Sequence, residues 1–295
     1  SESALELLKA SSATYLYSPE MSSSELLKRI ADFDAVIVRS RTKVTREVIS
    51  RGTSLKVIGR AGVGVDNIEM SAAKERGIKV VNTPDALTNA VAEFTLALML
   101  DLARSIPLSD SKLKSGNWAK SSFVGSELKG KVYGTIGIGR IGARVAELAY
   151  ALGMKIMAND VITIPEALVK KFDISVSSQD QIFSSADFVD LHLPLTEETK
   201  YLVNYGKISK MKKSAYLINT ARGKIVNEAD LLRALEEGKI AGAALDVFET
   251  EPPIQDLLAN EKLIVTPHIA GQTAEAQDEA GRLVVEQVLQ ALSSS

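Results

Sequence analysis

The 295-residue chain has no cysteine, one tryptophan and two histidines, His192 and His268. Without thiols it can form no disulfide, no thiolate metal site and no cysteine nucleophile, and imidazole chemistry has two places to go. An excess of charge is missing as well. Thirty-five Lys and Arg face 37 Asp and Glu, a formal net charge of −2, so no global positive field exists to hold a polyphosphate backbone and nucleic acid is not an expected partner. Long apolar runs are also absent. The most apolar stretch, Phe94 to Leu100, is bracketed by Glu93 and Asp101 and falls well short of the ~18 residues a membrane span requires. No charged-then-apolar leader opens the sequence, no metal site is expected, and a cytoplasmic address fits best.

What is present is a globular composition, 45% apolar and 24% charged, in a length that suits two domains. Short β-branched runs alternate with segments of helical period: 35–38, 79–81, 132–136, 155–157, 188–191, 215–218, 243–247 and 263–266. Strands spaced by helices in this way imply a parallel sheet. Helix ends are marked by Asn227 before Glu228 with Gly238 as stop, and by Gly153 after Leu152. Asp85 to Arg104 reads as one long helix, apolar on most faces, that must be buried under its own sheet or against a second subunit, which points to a homodimer. The final helix, Thr273 to Leu292, is placed to return to the first domain.

Val132 to Ile136 runs into Gly137-Ile138-Gly139-Arg140-Ile141-Gly142, a G-x-G-x-x-G between a strand and a helix. The first glycine permits the tight turn, the second lets backbone approach a pyrophosphate, and the third allows close helix packing, while helix N-terminal amides supply an anion site. Asp160 follows Gly142 by eighteen residues, at the end of the next strand. That matches the ~20 expected for a carboxylate on the ribose 2′-hydroxyl. With Val161 and Ile162 next and no adjacent cation, NAD is expected over NADP.

The two histidines have different settings. His192, in Asp190-Leu191-His192-Leu193-Pro194, reads as a packed or capping residue. His268 follows Leu263 to Pro267 and lies at a strand's carboxyl end, the ligand edge of a doubly wound sheet. Asn219 to Gly223, with Arg222, and Asp246 to Pro253, with Glu251, end two other strands. A base, a carboxylate to orient it and a guanidinium beside a dinucleotide site are the parts needed for hydride transfer from an alcohol.

Together, Gly137 to Gly142, Asn219 to Gly223, Ala243 to Pro253 and Pro267 to Gly271 resemble the D-isomer-specific 2-hydroxyacid dehydrogenases over nearly the whole chain. The resemblance implies an α/β fold of two doubly wound parallel-sheet domains, a Rossmann NAD-binding domain (85–272) inserted into a smaller flavodoxin-like substrate domain (1–84 plus 273–295). It implies that Arg222 binds the substrate carboxylate and carbonyl oxygen, that His268 is the acid/base and that Glu251 is its partner. It also implies that Thr83, Leu193, Thr220, Ala221, Arg222, Asp246, His268 and Gly271 border the cofactor, alongside Gly137, Gly139, Arg140, Ile141, Gly142 and Asp160.

From Arg39 to Arg60 seven basic residues face one acid, Glu47, a local excess hidden within the near-neutral total. Arg46, Arg51 and Lys56 read as a solvated face. Arg39-Ser40 instead follows the strand 35–38 and Arg60 precedes the glycine-rich Ala61 to Asp66, so both are expected at ends facing a cleft; backbone N–H groups at Val63-Gly64 suit a carboxylate while neighbouring arginines suit a dianionic phosphate. The expected substrate is therefore a small phosphorylated hydroxyacid. The alternatives are a reductase of unphosphorylated hydroxypyruvate or glyoxylate, and an NAD(H)-sensing corepressor-like binding protein. Two departures from the family pattern stand out. The chain ends at Ser295, where many relatives continue into a regulatory domain, so no feedback by serine is expected. It begins directly at a helix, Ala4 to Ala10, without the family's first strand, which implies either residues before Ser1 in the native protein or a rearranged first domain.

Overall fold

The computed structural model describes residues 1–294 and divides into two compact units, Ser1–Thr88 with the segment from Gly271 onward, and Asn89–Ala270. The first unit holds a three-stranded parallel sheet in the order β1 (Ala35–Val38), β2 (Val57–Arg60), β3 (Lys79–Asn82). Alternation along β2 sends Val57 and Ile58 to opposite faces. Ile58 joins Leu26, Val48, Ile49, Ala72 and Ala73 from the helices Ser23–Arg29, Arg46–Arg51 and Met70–Glu75. Val57 joins Ala4 of the helix Glu2–Ala10 and Val284, Val285 and Val288 of the last helix, Ala274–Ser293. The return of the final helix to the first unit is thus made by its valines.

β2 has no counterpart among the expected strands. Gly59 interrupts its apolar run, and glycine weakens a strand unless another element approaches closely. Here one does: a Cβ at Gly59 would lie 2.7 Å from Val288 and 2.9 Å from Val284.

The second unit holds seven parallel strands in the order β10-β9-β8-β7-β4-β5-β6: β4 (Val132–Ile136), β5 (Lys155–Asn159), β6 (Ser175–Val176), β7 (Phe188–Leu191), β8 (Tyr216–Asn219), β9 (Gly242–Leu245) and β10 (Leu263–Val265). The order reverses between β4 and β7, the switch point at which open α/β sheets bind ligands outside the strand carboxyl ends. Val189, Leu191 and Leu217 pack on one face with Ile182, Phe183 and Leu231. Tyr133, Ile156 and Phe188 pack on the other with Val145 and Ala149 of the helix Arg140–Ala151. Leu98, Met99, Leu102 and Ala103 cover that same face. They belong to the helix Thr88–Arg104, which starts three residues later than expected and is buried by its own unit. Both sheets are parallel and covered on both faces, so the α/β class is as expected. No helix among the described residues is long and apolar enough to cross a membrane.

Candidate active site

The glycine turn after β4 is built to leave backbone accessible. Gly137 takes φ +91°, and a Cβ there would lie 2.3 Å from the His192 carbonyl oxygen. At Gly142 a Cβ would lie 2.3 Å from the Gly137 carbonyl oxygen, which is how closely helix and turn approach. Gly139, the N-terminal cap of the helix Arg140–Ala151, is exposed, and a Cβ on it would meet nothing within 4 Å. Open space over a helix N-terminus, with Arg140 and Ile141 as its first residues, fits a dinucleotide pyrophosphate. Asp160 lies beyond β5 and is tied into the turn: Ile138 N–H donates to its Oδ2 at 2.8 Å and Ile162 N–H to its Oδ1 at 3.2 Å.

His192 is indeed a packed histidine. Its ring is almost fully buried, with Nε2 2.7 Å from Asp190 Oδ2. The Tyr133 hydroxyl donates to that same oxygen at 2.7 Å, and Leu191 N–H to the other at 2.9 Å. Burial, reinforced by the Asp190 charge, pushes the Tyr133 hydroxyl well above its ordinary pKa. Leu193, one residue on, lies 3.1 Å from where a Gly137 Cβ would stand.

At the carboxyl end of β8, Asn219 folds the next turn through both ends of its amide: Nδ2 donates to Arg222 O at 2.9 Å, and Oδ1 accepts from Ala221 N–H at 3.0 Å. Thr220 is buried, its hydroxyl 3.1 Å from that of Thr95. Arg222 then leaves the turn half-buried. Beyond β9, Asp246 is 0% exposed. Its Oδ1 accepts from the Thr266 hydroxyl at 2.6 Å and Ile269 N–H at 2.9 Å, its Oδ2 from Ala270 N–H at 2.9 Å. All three donors flank His268, which adopts the left-handed backbone, φ +54°. The ring of His268 is 49% exposed, and its Nδ1 lies 3.0 and 3.1 Å from the two oxygens of Glu251. Arg222, Glu251 and His268 thus end β8, β9 and β10 on one edge of one sheet.

In the first unit Thr83 is buried, its hydroxyl accepting from Gly62 N–H at 2.8 Å, and so acts locally to hold the turn after β2. Asn82 Nδ2 donates to Val63 O at 2.6 Å beside Gly64. Arg60 Nη1 donates to Ala61 O at 3.0 Å, and its guanidinium lies over Gly62, where a Cβ would overlap it. Arg39 and Ser40 are exposed beyond β1, with Arg39 Nη2 donating to Gln272 Oε1 at 3.2 Å. Gly271 packs on Leu87, where a Cβ would lie 2.6 Å from it. Four of the other five basic residues of this stretch form surface ion pairs, Arg41 with Glu20, Arg46 with Glu75, Arg51 with Glu47 and Lys56 with Asp34, and the fifth, Lys43, is exposed. Among the described residues no cluster of acids and histidines is arranged to hold a metal ion.

This geometry is a dinucleotide turn and an imidazole–carboxylate pair on the ligand edge of one sheet, and the comparisons with known proteins say which group shares it. Residues 96–270 match the model described as "D-isomer specific 2-hydroxyacid dehydrogenase, NAD binding domain". The chain belongs to that family. It is 48% identical over 92% of its length to D-3-phosphoglycerate dehydrogenase of Methanocaldococcus jannaschii, of which it covers 52%. It is 42% identical over 98% of its length to hydroxypyruvate reductase of Thermotoga maritima, of which it covers 94%. Among solved structures, a glyoxylate reductase from Paecilomyes thermophila superposes with a TM-score of 0.90 at 31% identity, over 99% of this chain and 92% of that one. The chain spans about half the length of the phosphoglycerate relatives it matches.

Proposed function

We propose that the protein oxidises 3-phospho-D-glycerate to 3-phosphooxypyruvate, with NAD as hydride acceptor, as a D-3-phosphoglycerate dehydrogenase of serine synthesis. The observation that carries the chemistry is His268, half-exposed at a strand end with its Nδ1 against both Glu251 oxygens. That contact leaves Nε2 to take the C2 hydroxyl proton as the C2–O bond becomes a carbonyl. Glu251 orients the ring and stabilises the imidazolium that forms. Arg222 grips the substrate carboxylate and offsets negative charge developing on the C2 oxygen. NAD, when bound, supplies the electrophilic carbon that accepts the C2 hydride.

The cofactor is assigned to Gly137, Gly139, Arg140, Ile141, Gly142 and Asp160, with Leu193, Thr220 and Ala221 toward its nicotinamide end. Thr83, Asp246 and Gly271 contribute to that end by fixing the turns that carry them. Arg39, Ser40, Arg60, Val63 and Gly64 are assigned to substrate, the two arginines to its phosphate. The relatives named for phosphoglycerate support this substrate. A reductase of hydroxypyruvate is the second reading, favoured by the Thermotoga maritima relative that the chain matches along nearly its whole length. We place the reaction in the cytoplasm, where nicotinamide cofactors are recycled.

His268→Ala tests the catalytic assignment. Turnover is expected to fall by at least about 100-fold, the lower bound for loss of a general base, while NAD affinity measured by fluorescence titration stays near wild type. Wild-type turnover in this variant contradicts the assignment.

A further inference from the structure

Two loops that carry catalytic groups are joined by a reciprocal bond between acids. Glu228 N–H donates to Glu249 Oε1 at 2.8 Å, and Glu249 N–H donates to Glu228 Oε1 at 2.6 Å. The second Glu249 oxygen accepts from the Tyr201 hydroxyl at 2.7 Å. Glu228 is 6% exposed, and burial with the Glu249 charge beside it pushes its carboxyl above the usual range, against the lowering effect of the Glu249 N–H.

Placing two acids so close needs a compensating reason, and the surroundings supply one. Glu249 lies two residues before Glu251, and Glu228 opens the helix Glu228–Glu236 that follows the Arg222 turn. The two segments also touch directly: a Cβ at Gly223 would lie 1.9 Å from the Phe248 carbonyl. A third segment locks on behind them, Tyr201 N–H donating to Lys224 O at 2.8 Å and Val203 N–H to Ile225 O at 3.0 Å. The consequence falls on the separation of Arg222, one residue before Gly223, from Glu251 and its partner His268.

We propose that Glu228, Glu249 and Tyr201 form a clamp of positioning residues that fixes the Arg222 turn against the Glu251 loop, so that the guanidinium and the imidazole address one substrate. The inference rests on the roles given above to Arg222, Glu251 and His268. A misplacement of ~1 Å far from the reacting atoms can cost ~100-fold in rate, and removing a carboxylate that receives a backbone N–H frees each loop to move on that scale.

The test is steady-state kinetics of the full chain with NAD and 3-phosphoglycerate, alongside thermal unfolding. Glu228→Ala and Glu249→Ala are expected to lower kcat/KM for the hydroxyacid by ~10–100-fold, a larger effect than on the KM for NAD, whose contacts at the glycine turn and Asp160 lie outside the clamped loops. Glu228→Gln and Glu249→Gln keep an oxygen that accepts the N–H, so they should restore most of the loss. Tyr201→Phe removes one of the three bonds and gives a smaller loss, which keeps the test decisive if an alanine variant does not fold. A clamp variant that melts earlier yet turns over like wild type per folded molecule overturns the proposal. His268→Ala in the same assay separates the two claims: wild-type turnover there sinks the acid–base reading, whereas an inactive His268→Ala beside wild-type-like clamp variants sinks the clamp alone.

Discussion

At the scale of single residues, the site depends on buried acids that sit away from the reacting groups. A non-glycine residue in left-handed backbone costs of order 1–3 kcal/mol, yet His268 adopts it. Asp246 supplies three hydrogen bonds around that position, each of order 1.5–3 kcal/mol for a charged acceptor, which more than offsets the strain. The same logic applies to Asp160, which braces the glycine turn through Ile138 while standing where a ribose hydroxyl is expected. Asp160→Ser is expected to raise the KM for NAD by about tenfold, the equivalent of ~1.4 kcal/mol and a fair measure of one lost charge-assisted hydrogen bond. An unchanged KM would remove Asp160 from cofactor binding. Spacing made Asp160 and the glycines visible in the sequence, and strand-end position did so for His268. The buried partners were not visible. Nothing in the sequence marks Glu228 and Glu249, 21 positions apart, as partners, because a bond from backbone to carboxylate leaves no motif.

At the scale of elements, β1, β4 and β7 lie where their β-branched runs put them, since buried parallel strands are continuous apolar stretches. β2 was hidden by Gly59, whose missing side chain makes room for Val284 and Val288 of the last helix. β6 was hidden by its two-residue length at a sheet edge. Helix ends were clearer: Asn227 caps its helix by accepting from Asp230 N–H, and Gly238 stops it at φ +65°. Electrostatics ties one element to another in the helix Gln179–Ser185, where Asp180 accepts from Lys207 at 2.6 Å and Lys210 at 2.9 Å. Those lysines lower its pKa from 3.8 to about 2. In the interval between the two values the unfolded chain binds more protons than the native one, so stability rises with pH there and this contribution is lost as pH falls toward 2. Asp180→Asn should therefore unfold at lower denaturant than wild type at pH 6, and the gap should close near pH 2. A gap that persists at pH 2 would show that the ion pairs are not its source.

At the scale of the whole molecule, the near-neutral charge total conceals an uneven distribution whose meaning the ion pairs narrow. Of the seven bases between Arg39 and Arg60, four are matched on the surface by Glu20, Glu75, Glu47 and Asp34. Of the remaining three, Lys43 is an exposed side chain and only Arg39 and Arg60 are assigned to the phosphate, so the excess itself says little about a ligand. The helix around Asp85 to Arg104 loses its apolar residues to its own unit, but Leu100 on it is exposed, and Ile106, Leu113, Trp118 and Val124 follow, the last two 79% and 91% exposed. We propose that these exposed apolar groups are buried against a second copy, extending the homodimer expected from that helix. Sedimentation velocity should give a dimer for the wild type and a shift toward monomer for Trp118→Glu. A wild-type monomer at micromolar concentration contradicts the homodimer.

NAD reduction measured side by side with 3-phospho-D-glycerate and D-glycerate tests the proposed substrate. The two arginines predict a kcat/KM for the phosphorylated acid at least about 100-fold higher, the scale of two charge-assisted contacts. Equal turnover, or a preference for D-glycerate, would contradict that claim and favour the hydroxypyruvate reading.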